Sequence, residues 1–232
     1  MKTIKILLTG IGGYGGNYLK ELLFETEKKA PEAVLEGIAD PFAANSPYYE
    51  EIQKRSIPVY DTPEQFYAEH QADLAVISSP IHLHYGQIMT CLDHSCVLSE
   101  KPLCADVGQA AEIIRKEQET KQFVGVGYQL SFSRDVLALK RDILSGKFGK
   151  PLFMKALHAM RRGSVYYARN GWAGCITKNG YPVYDSPVNN ACAHQLHNML
   201  YLLGQDGKAA APVSVQAVLW KAKPEIENFD AA

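Results

Sequence analysis

Polar residues that could carry out proton transfer lie in two places in this sequence. Lys101 follows an apolar run, in the segment EKP, and a lysine ammonium there can hydrogen-bond a hydroxyl group and stabilise the alkoxide formed from it. His194 lies near the other end, where an imidazole can take up a proton as a general base near neutral pH. We predict that both residues are catalytic. The alternative for Lys101 is an exposed lysine in a turn, and the alternative for His194 is a histidine that packs against polar groups at a domain interface.

Asn190 and His197 accompany His194 at spacings of four and three residues. Those spacings place the three side chains on one face of an α-helix, which we predict over residues 188–203. We predict that the amide of Asn190 positions a substrate hydroxyl as part of the catalytic set, and that His197 contacts the substrate. Two histidines three residues apart could also hold a metal ion, but no third ligand stands at a suitable spacing, so we expect no metal.

A glycine-rich run, GIGGYG, follows the first apolar segment and fits the pattern G-x-G-x-x-G in a single alignment. Between a strand and a helix, this pattern lets the backbone approach a pyrophosphate, which then meets free N–H groups at the start of the helix. An ordinary glycine-rich turn is the alternative. We assign to cofactor binding the residues Gly10, Ile11, Gly12, Gly13, Tyr14 and Gly15.

Asp40 ends the second apolar run, 25 residues after Gly15. A carboxylate at this place can accept hydrogen bonds from the ribose hydroxyls of a dinucleotide, and it repels a 2′-phosphate. The next three residues, 41–43, supply no cation that could offset this repulsion. We therefore predict NAD rather than NADP, with a surface aspartate in a turn before proline as the alternative.

Other candidate site residues follow predicted strands or lie beyond them. Because ligands of open α/β sheets bind beyond the carboxyl ends of the strands, residues that follow strands are assigned to cofactor binding. His84 either lines the nicotinamide side of that cleft or caps the next helix. The further cofactor-binding candidates are Ser79, Pro80, His84, Glu100 and Lys101, and the substrate-binding candidates are Tyr128, Arg161, Arg162 and His197.

The elements that position these residues fall into two predicted domains. In residues 1–128, six short apolar runs alternate with helix-length amphipathic stretches, which is typical of a doubly wound parallel sheet, the Rossmann fold. In residues 129–232 the pattern changes to that of a second, α+β domain. Its long strands are predicted over 151–162 and 213–222, and we expect the chain to end inside this domain, leaving it incomplete.

Composition narrows the classes of partner. The formal net charge is −1 and the isoelectric point about 6.7, so the chain lacks the basic excess that nucleic acids or anionic membranes would attract. The five cysteines are odd in number and form no C-x-x-C pair, a pattern of reduced thiols. With no signal peptide in view, we predict a cytoplasmic protein.

Together these motifs resemble the Gfo/Idh/MocA oxidoreductases (the glucose–fructose oxidoreductase and inositol dehydrogenase type) along almost the whole chain. The resemblance implies that Lys101 contacts the reacting hydroxyl and that His194 is the acid/base. This sequence departs from the family at two positions, since Asn190 and His197 each stand where an aspartate is usual. The matching stretches are GIGGYG, the strand ending at Asp40, SSPIHLH, SEKPL, VGVGYQLSF, GKP and YLLG.

The resemblance implies an NAD(P)-dependent oxidoreductase that transfers hydride between the nicotinamide and a secondary alcohol of a sugar, cyclitol or related polyol. It also implies a longer chain whose second domain has an open, mainly antiparallel sheet, and a homo-oligomer formed through that sheet. Two alternatives stay open. One is NAD-dependent glycoside cleavage through a transient ketone. The other, kept open by Asn190, is a regulator that binds dinucleotide and sugar without turnover.

Overall fold

The computed structural model describes residues 3–29, 32–218, 220–221 and 224–226. The chain divides into two compact units, Met1–Gly127 and Tyr128–Ala232. This division falls one residue before the boundary that we predict from the sequence.

The first unit is built on a parallel sheet of six strands in the order β3-β2-β1-β4-β5-β6. This is the order of a doubly wound nucleotide-binding fold, and it confirms the predicted Rossmann domain. The strands are β1 (Ile4–Thr9), β2 (Ala33–Ala39), β3 (Val59–Tyr60), β4 (Leu74–Ile77), β5 (Cys96–Ser99) and β6 (Val124–Val126).

Helices connect these strands, and polar side chains fix where two of them begin. Thr62 accepts a hydrogen bond from the backbone N–H of Gln65, and Asp106 does the same for Gln109, so each caps the helix that follows it. The helices are α1 (Gly15–Phe24), α2 (Thr26–Lys29), α3 (Tyr49–Lys54), α4 (Pro63–Glu69), α5 (Ile81–Cys91) and α6 (Val107–Thr120), with a 3-10 turn at Ala43–Asn45.

Both faces of the sheet are covered, as a parallel sheet requires. Neighbouring residues of β1 point to opposite faces, and both are fully buried: Leu7 packs in one apolar cluster with Ile77, and Leu8 in the other with Leu19. With both faces filled, the carboxyl edge of the sheet remains the place where a ligand can meet the strands.

The second unit is α+β, and its described residues contain a two-stranded antiparallel sheet. No helix in the described ranges of the chain is long and apolar enough to cross a bilayer. The elements are a 3-10 turn (Gln129–Phe132), α7 (Arg134–Leu144), α8 (Ser164–Tyr167), β7 (Thr177–Lys178), β8 (Tyr181–Pro182), a π-helical turn (Pro187–Ala191) and α9 (Ala193–Leu203).

The two long strands predicted in the second unit are wrong for the residues that the structure describes. Residues 151–162 and the described part of 213–222 form neither strand nor helix, while residues 219 and 222 lie outside the described ranges. Leu152 and Val213 are 88% and 104% exposed. An apolar or β-branched run becomes a strand only when a neighbouring strand pairs with it, and neither segment pairs with a strand in the described chain.

The predicted helix over 188–203 is also corrected. A π-helical turn precedes α9, and the backbone N–H of Cys192 closes it by donating to the carbonyl of Pro187 at 2.6 Å. Asn190 therefore lies in this turn, outside the helix that carries His194 and His197.

Lys140 secures the end of α9 from its position on α7. Its side chain is buried, and its Nζ donates hydrogen bonds to the carbonyl oxygens of Tyr201 and Gly204 at 2.5 and 2.6 Å. The last carbonyls of a helix lack the usual partner four residues on, and this ammonium binds one of them, at Tyr201, together with the carbonyl of Gly204, the residue that follows α9. Burial lowers the pKa of Lys140.

Replacing Lys140 by methionine should lower the free energy of unfolding of the second unit by about 2–3 kcal/mol, because two buried carbonyls lose charged donors. Urea titration followed by tryptophan fluorescence measures this change, since Trp172 and Trp220 both lie in the second unit. Lys147→Met is the matched control, because Lys147 is an exposed lysine with a surface ion pair. Equal losses in the two variants would contradict the prediction.

Candidate active site

The glycine-rich turn after β1 is tightly packed at both ends and open in the middle. A Cβ added at Gly10, which has φ +78°, would lie 2.7 Å from the backbone nitrogen of Ser79, and one at Gly15 would lie 2.1 Å from the carbonyl oxygen of Gly10. A Cβ at Gly12 would meet nothing within 4 Å. Close backbone packing therefore requires the outer two glycines, while the middle one borders open space.

This turn has the features of a phosphate site. Within the described chain, the N–H groups of Gly12, Gly13 and Tyr14 make no backbone hydrogen bond, and α1 begins at the next residue. Free N–H groups at a helix start favour an anion by direct hydrogen bonding and by the helix dipole. The residues present thus fit the pyrophosphate of a dinucleotide.

Asp40 holds the turn in shape. Its Oδ2 accepts a hydrogen bond from the N–H of Ile11 at 2.7 Å, and its Oδ1 accepts one from the N–H of Phe42 at 2.8 Å. Each carboxylate oxygen has a second lone pair, so both can still accept a bond from a ribose hydroxyl. The contact with Ile11 joins the end of β2 to the glycine-rich turn, and the sequence analysis does not predict it.

His84 lies inside the protein, although one sequence-based interpretation places it along the cleft. Its ring is 1% exposed, with Nε2 2.8 Å from the carbonyl oxygen of Ser79 and Nδ1 2.8 Å from that of Pro102. Ser79 also donates from its hydroxyl to Gln87 at 2.5 Å, and Pro80 directly precedes α5. His84 thus connects the loop after β4 to the loop that carries the predicted catalytic lysine.

Burial lowers the pKa of His84, and the two carbonyl contacts oppose this effect only in part. The unfolded chain therefore binds the proton more tightly than the folded one. The free energy of unfolding should then fall as the pH drops below about 6.5, the ordinary histidine value, towards the lower folded pKa. Urea unfolding of the whole chain at pH 7.5 and 5.5, followed by circular dichroism, should show a smaller pH effect in His84→Gln than in the parent. An equal pH effect in His84→Gln and the parent chain would contradict the prediction.

Lys101 is positioned through its neighbour Glu100. The Glu100 carboxylate is buried, and it accepts a hydrogen bond from the Tyr18 hydroxyl at 2.7 Å and one from the backbone N–H of Lys101 at 3.2 Å. Burial first, and the carboxylate second, raise the pKa of Tyr18, which stays a hydrogen-bond donor. One buried carboxylate thereby joins α1 to the backbone of Lys101.

Three residues predicted for catalysis or substrate binding meet in the second unit. The ring of Tyr128 stacks in parallel on His197 with centroids 4.1 Å apart, and it meets His194 edge-on at 6.0 Å. His197 is also parallel to Tyr201 at 6.4 Å. Among the described residues, no group of three His, Cys, Asp or Glu side chains could hold a metal ion.

Asn190 is hydrogen-bonded to the carboxylate of Asp185, a residue that no sequence pattern singles out. Its Nδ2 donates to Oδ1 of Asp185 at 2.7 Å, and Oδ2 of Asp185 accepts the N–H of Gly174 at 2.8 Å. Asp185 is 4% exposed. The amide of Asn190 is neutral, but its nitrogen is bonded to a buried acidic side chain. The amide oxygen is the atom of Asn190 that can accept a hydrogen bond.

Asp185 also borders a cavity of about 210 Å³ within the second unit. The guanidinium of Arg162 lies 3.8 Å from the ring centroid of Tyr166 beside it, whereas Arg161 is exposed. The Nε of Arg162 is buried without a hydrogen-bond partner in the described chain. The lining residues are His158, Ala159, Met160, Arg162, Tyr166, Tyr167, Asp185, Ser186, Pro187, Ala191 and Cys192.

The curated proteins similar to this chain include several inositol 2-dehydrogenases. The inositol 2-dehydrogenase of Mycolicibacterium smegmatis is 27% identical over 163 residues, which cover 68% of this chain and 45% of that protein. Inositol 2-dehydrogenase 2 of Mycolicibacterium vanbaalenii is 31% identical over 144 residues, covering 60% and 37%. The chain spans about half the length of the curated relatives it matches, or somewhat less.

Solved structures show the same fold. The WlbA dehydrogenase of Chromobacterium violaceum, in complex with NADH and UDP-GlcNAcA, superposes with a TM-score of 0.70 at 20% identity, covering 88% of this chain and 56% of that one. The scyllo-inositol dehydrogenase of Lactobacillus casei, with NAD(H) and scyllo-inositol, gives 0.55 at 21% identity, covering 64% and 43%.

The family comparison covers the unit that carries the glycine-rich turn, Asp40 and Lys101. The family model of an oxidoreductase family with an NAD-binding Rossmann fold, Gfo/Idh/MocA, matches residues 4–128, which is more than half of the chain. The predicted resemblance is confirmed, and the chain belongs to the Gfo/Idh/MocA family of oxidoreductases.

Proposed function

We propose that this protein is an NAD-dependent oxidoreductase that transfers hydride between the nicotinamide and a secondary alcohol of a sugar, cyclitol or related polyol. The observation that carries the proposal is the placement of Lys101 two residues after the end of β5, next to Glu100, which Tyr18 holds by a hydrogen bond, in the same unit as the glycine-rich turn. Relatives named inositol 2-dehydrogenase and a structural neighbour solved with NAD(H) and scyllo-inositol support the substrate class.

The cofactor supplies a hydride acceptor when it is bound. The residues that would hold it are the turn from Gly10 to Gly15, through its free N–H groups, and Asp40, through the second lone pair of each carboxylate oxygen. Ser79 and Pro80 border the same edge of the sheet after β4, and His84 holds that loop in place.

Oxidation of an alcohol also requires a group that accepts the hydroxyl proton. In the proposed reaction the ammonium of Lys101 hydrogen-bonds the reacting oxygen and stabilises the alkoxide, while His194 takes the proton. Asn190, oriented by Asp185, presents its carbonyl oxygen to a substrate hydroxyl. The carbinol hydrogen leaves with the C–H electron pair as hydride and the hydroxyl proton goes to His194, so the alcohol becomes a ketone.

The second unit contributes the remaining substrate contacts. Tyr128 and His197 form a stacked aromatic pair against which a sugar or cyclitol ring can pack. Arg162 lines the cavity beside Asp185, and the guanidinium group can donate to a substrate oxygen there. The exposed Arg161 is the weaker contributor of the two.

A dehydrogenase screen tests the proposal. The chain is incubated with NAD and a panel of inositols, aldoses and sugar acids, and NADH absorbance is followed together with product analysis. NADH formation that depends on one polyol is the expected result. Glycoside cleavage without net NADH would replace this function by the elimination reaction. Binding of NAD and polyol with no turnover of either kind would identify a regulator.

NAD should bind more tightly than NADP, because the carboxylate of Asp40 repels a 2′-phosphate. Asp40→Asn removes that charge and keeps an acceptor oxygen, so it should narrow the gap between the two dissociation constants by about tenfold, or about 1.4 kcal/mol. Titration of both cofactors against protein fluorescence measures the gap, with Asp61→Asn, an exposed aspartate, as the control. Tighter binding of NADP by the parent chain would contradict the prediction.

A further inference from the structure

One hydroxyl group lies between two partners beside the stacked aromatic pair. The Oγ of Ser131 is 2.8 Å from Nδ1 of His197 and 2.5 Å from Oδ1 of Asn198. Ser131 itself is 1% exposed, so water does not take over either contact. A serine hydroxyl has one proton to donate and two lone pairs with which to accept.

The arrangement determines where the proton of the imidazole lies. The amide oxygen of Asn198 can only accept, so the proton of Ser131 goes to it. Ser131 must then accept at its other contact, and the donor there is the Nδ1–H of His197. A neutral imidazole carries one N–H, which leaves a lone pair at Nε2.

The surroundings keep this imidazole neutral. Burial lowers the pKa of His197. The titratable groups packed around it are Tyr128 on one side, Tyr201 and His194 on its own helix, and Lys140, whose ammonium lies 5.0 Å from the Tyr201 ring. None of these supplies the negative charge that would favour an imidazolium.

We infer that Ser131 and Asn198 are positioning residues that hold His197 as the Nδ1–H tautomer, and that its Nε2 accepts a hydrogen bond from a substrate hydroxyl. His197 is then a residue that determines specificity, separate from the proton acceptor His194. The part of this inference that concerns substrate rests on the proposed polyol dehydrogenase function.

The chemistry favours a hydroxyl at this place. A lone pair at Nε2 pairs with a donor, whereas a carbonyl oxygen or an ether offers only further acceptors. The parallel stack on Tyr128 and the bond from Nδ1 both fix the ring, so Nε2 cannot turn away from a substrate that lacks the donor. A site built around such a polar atom rejects an analogue without the hydroxyl, because the atom is left unpaired.

Nuclear magnetic resonance tests the tautomer without any turnover. Spectra of protein with ¹⁵N-labelled histidine separate an N–H nitrogen from a nitrogen with a lone pair. We expect His197, assigned by comparison with His197→Asn, to show Nδ1–H and a bare Nε2 at pH 7.5. Ser131→Ala should shift His197 towards the Nε2–H form. An Nε2–H tautomer in the parent chain would overturn the inference.

Kinetics test the contact with substrate. His197→Asn keeps a donor near Ser131 and removes Nε2, so KM for the polyol should rise about tenfold or more while kcat changes by less than about threefold. His94→Asn is the matched control, because His94 stacks on Tyr67 at 4.3 Å in the first unit and should leave KM unchanged.

The tautomer and the substrate contact are tested separately, and only the substrate contact depends on the proposed function. An unchanged KM in His197→Asn would overturn the substrate contact. If the polyol screen detects no turnover at all, the substrate contact falls with the proposed function, and the tautomer is still decided by the spectra. If His197→Asn does not fold, Ser131→Ala replaces it in the kinetic test. That variant retains the imidazole ring and removes the oxygen that accepts the Nδ1–H. An unchanged KM in Ser131→Ala also counts against the inference.

Discussion

Replacing Lys101 by methionine is expected to lower kcat for polyol oxidation by about two to four decades, because one ammonium serves both alkoxide stabilisation and alignment for proton transfer. The backbone N–H of Lys101 that bonds to Glu100 is retained, so the segment after β5 should keep its conformation. Steady-state NADH formation gives kcat, and fluorescence titration gives the dissociation constant of NAD. The two measurements separate loss of chemistry from loss of binding.

Two comparison variants make this test specific. Lys20→Met removes an exposed lysine from α1 of the same unit and should leave kcat unchanged. Lys101→Arg keeps the charge in a planar, bulkier group and should recover only a small part of the activity. A loss in Lys101→Met of less than about tenfold would remove the lysine from the proposed mechanism.

The glycine-rich turn provides the second prediction with a large effect. Gly12→Ala should fold like the parent chain, because its Cβ meets nothing within 4 Å, yet it should weaken NAD binding by about 10- to 100-fold, since that Cβ enters the space meant for the pyrophosphate. Gly15→Ala should instead destabilise the folded state, because its Cβ would lie 2.1 Å from a backbone oxygen.

Thermal unfolding and NAD titration of both variants separate these effects. Gly86→Ala is the control, since Gly86 lies exposed in α5 with open space around it, and alanine there should stabilise the helix by about 1 kcal/mol. Equal NAD affinity in Gly12→Ala and the parent would show that the pyrophosphate does not approach this turn. A fully folded Gly15→Ala would show that the turn can move away from α1.

The first unit was predictable because its determinants are local in the sequence. Short buried runs such as Ile4–Thr9 are typical of strands covered on both faces, and the glycine spacing marks the turn between β1 and α1. The preference for right-handed crossovers restricts the possible strand orders, and the glycine pattern favours the order of the nucleotide-binding fold.

The residues that position the site could not be predicted, because their partners are remote or depend on an irregular turn. Tyr18 and Glu100 are separated by 82 residues, and Ser131 and His197 by 66, and neither pair has a spacing that signals contact. Asp185 is close to Asn190 in sequence, but Asn190 lies in a π-helical turn, which breaks the helical spacing on which the prediction relied.

The second unit shows where apolar patterning misleads. Leu152 and Val213 belong to runs with high strand propensity, yet neither run is paired with a neighbour in the described chain. Propensity describes a side chain that fits a pleated and half-buried surface, so it predicts a strand only where such a surface exists. The spacing of the glycine motif predicts a turn without requiring a neighbouring strand.

The carboxylate of Glu100 has a thermodynamic consequence. Because it bonds both Tyr18 on α1 and the backbone of Lys101, local opening that frays the start of α1 also releases one restraint on the lysine. A dinucleotide that orders the glycine-rich turn should therefore slow amide hydrogen exchange around residue 101 as well as within the turn. By reciprocity, a ligand that orders Lys101 should increase the affinity of the glycine-rich turn for phosphate.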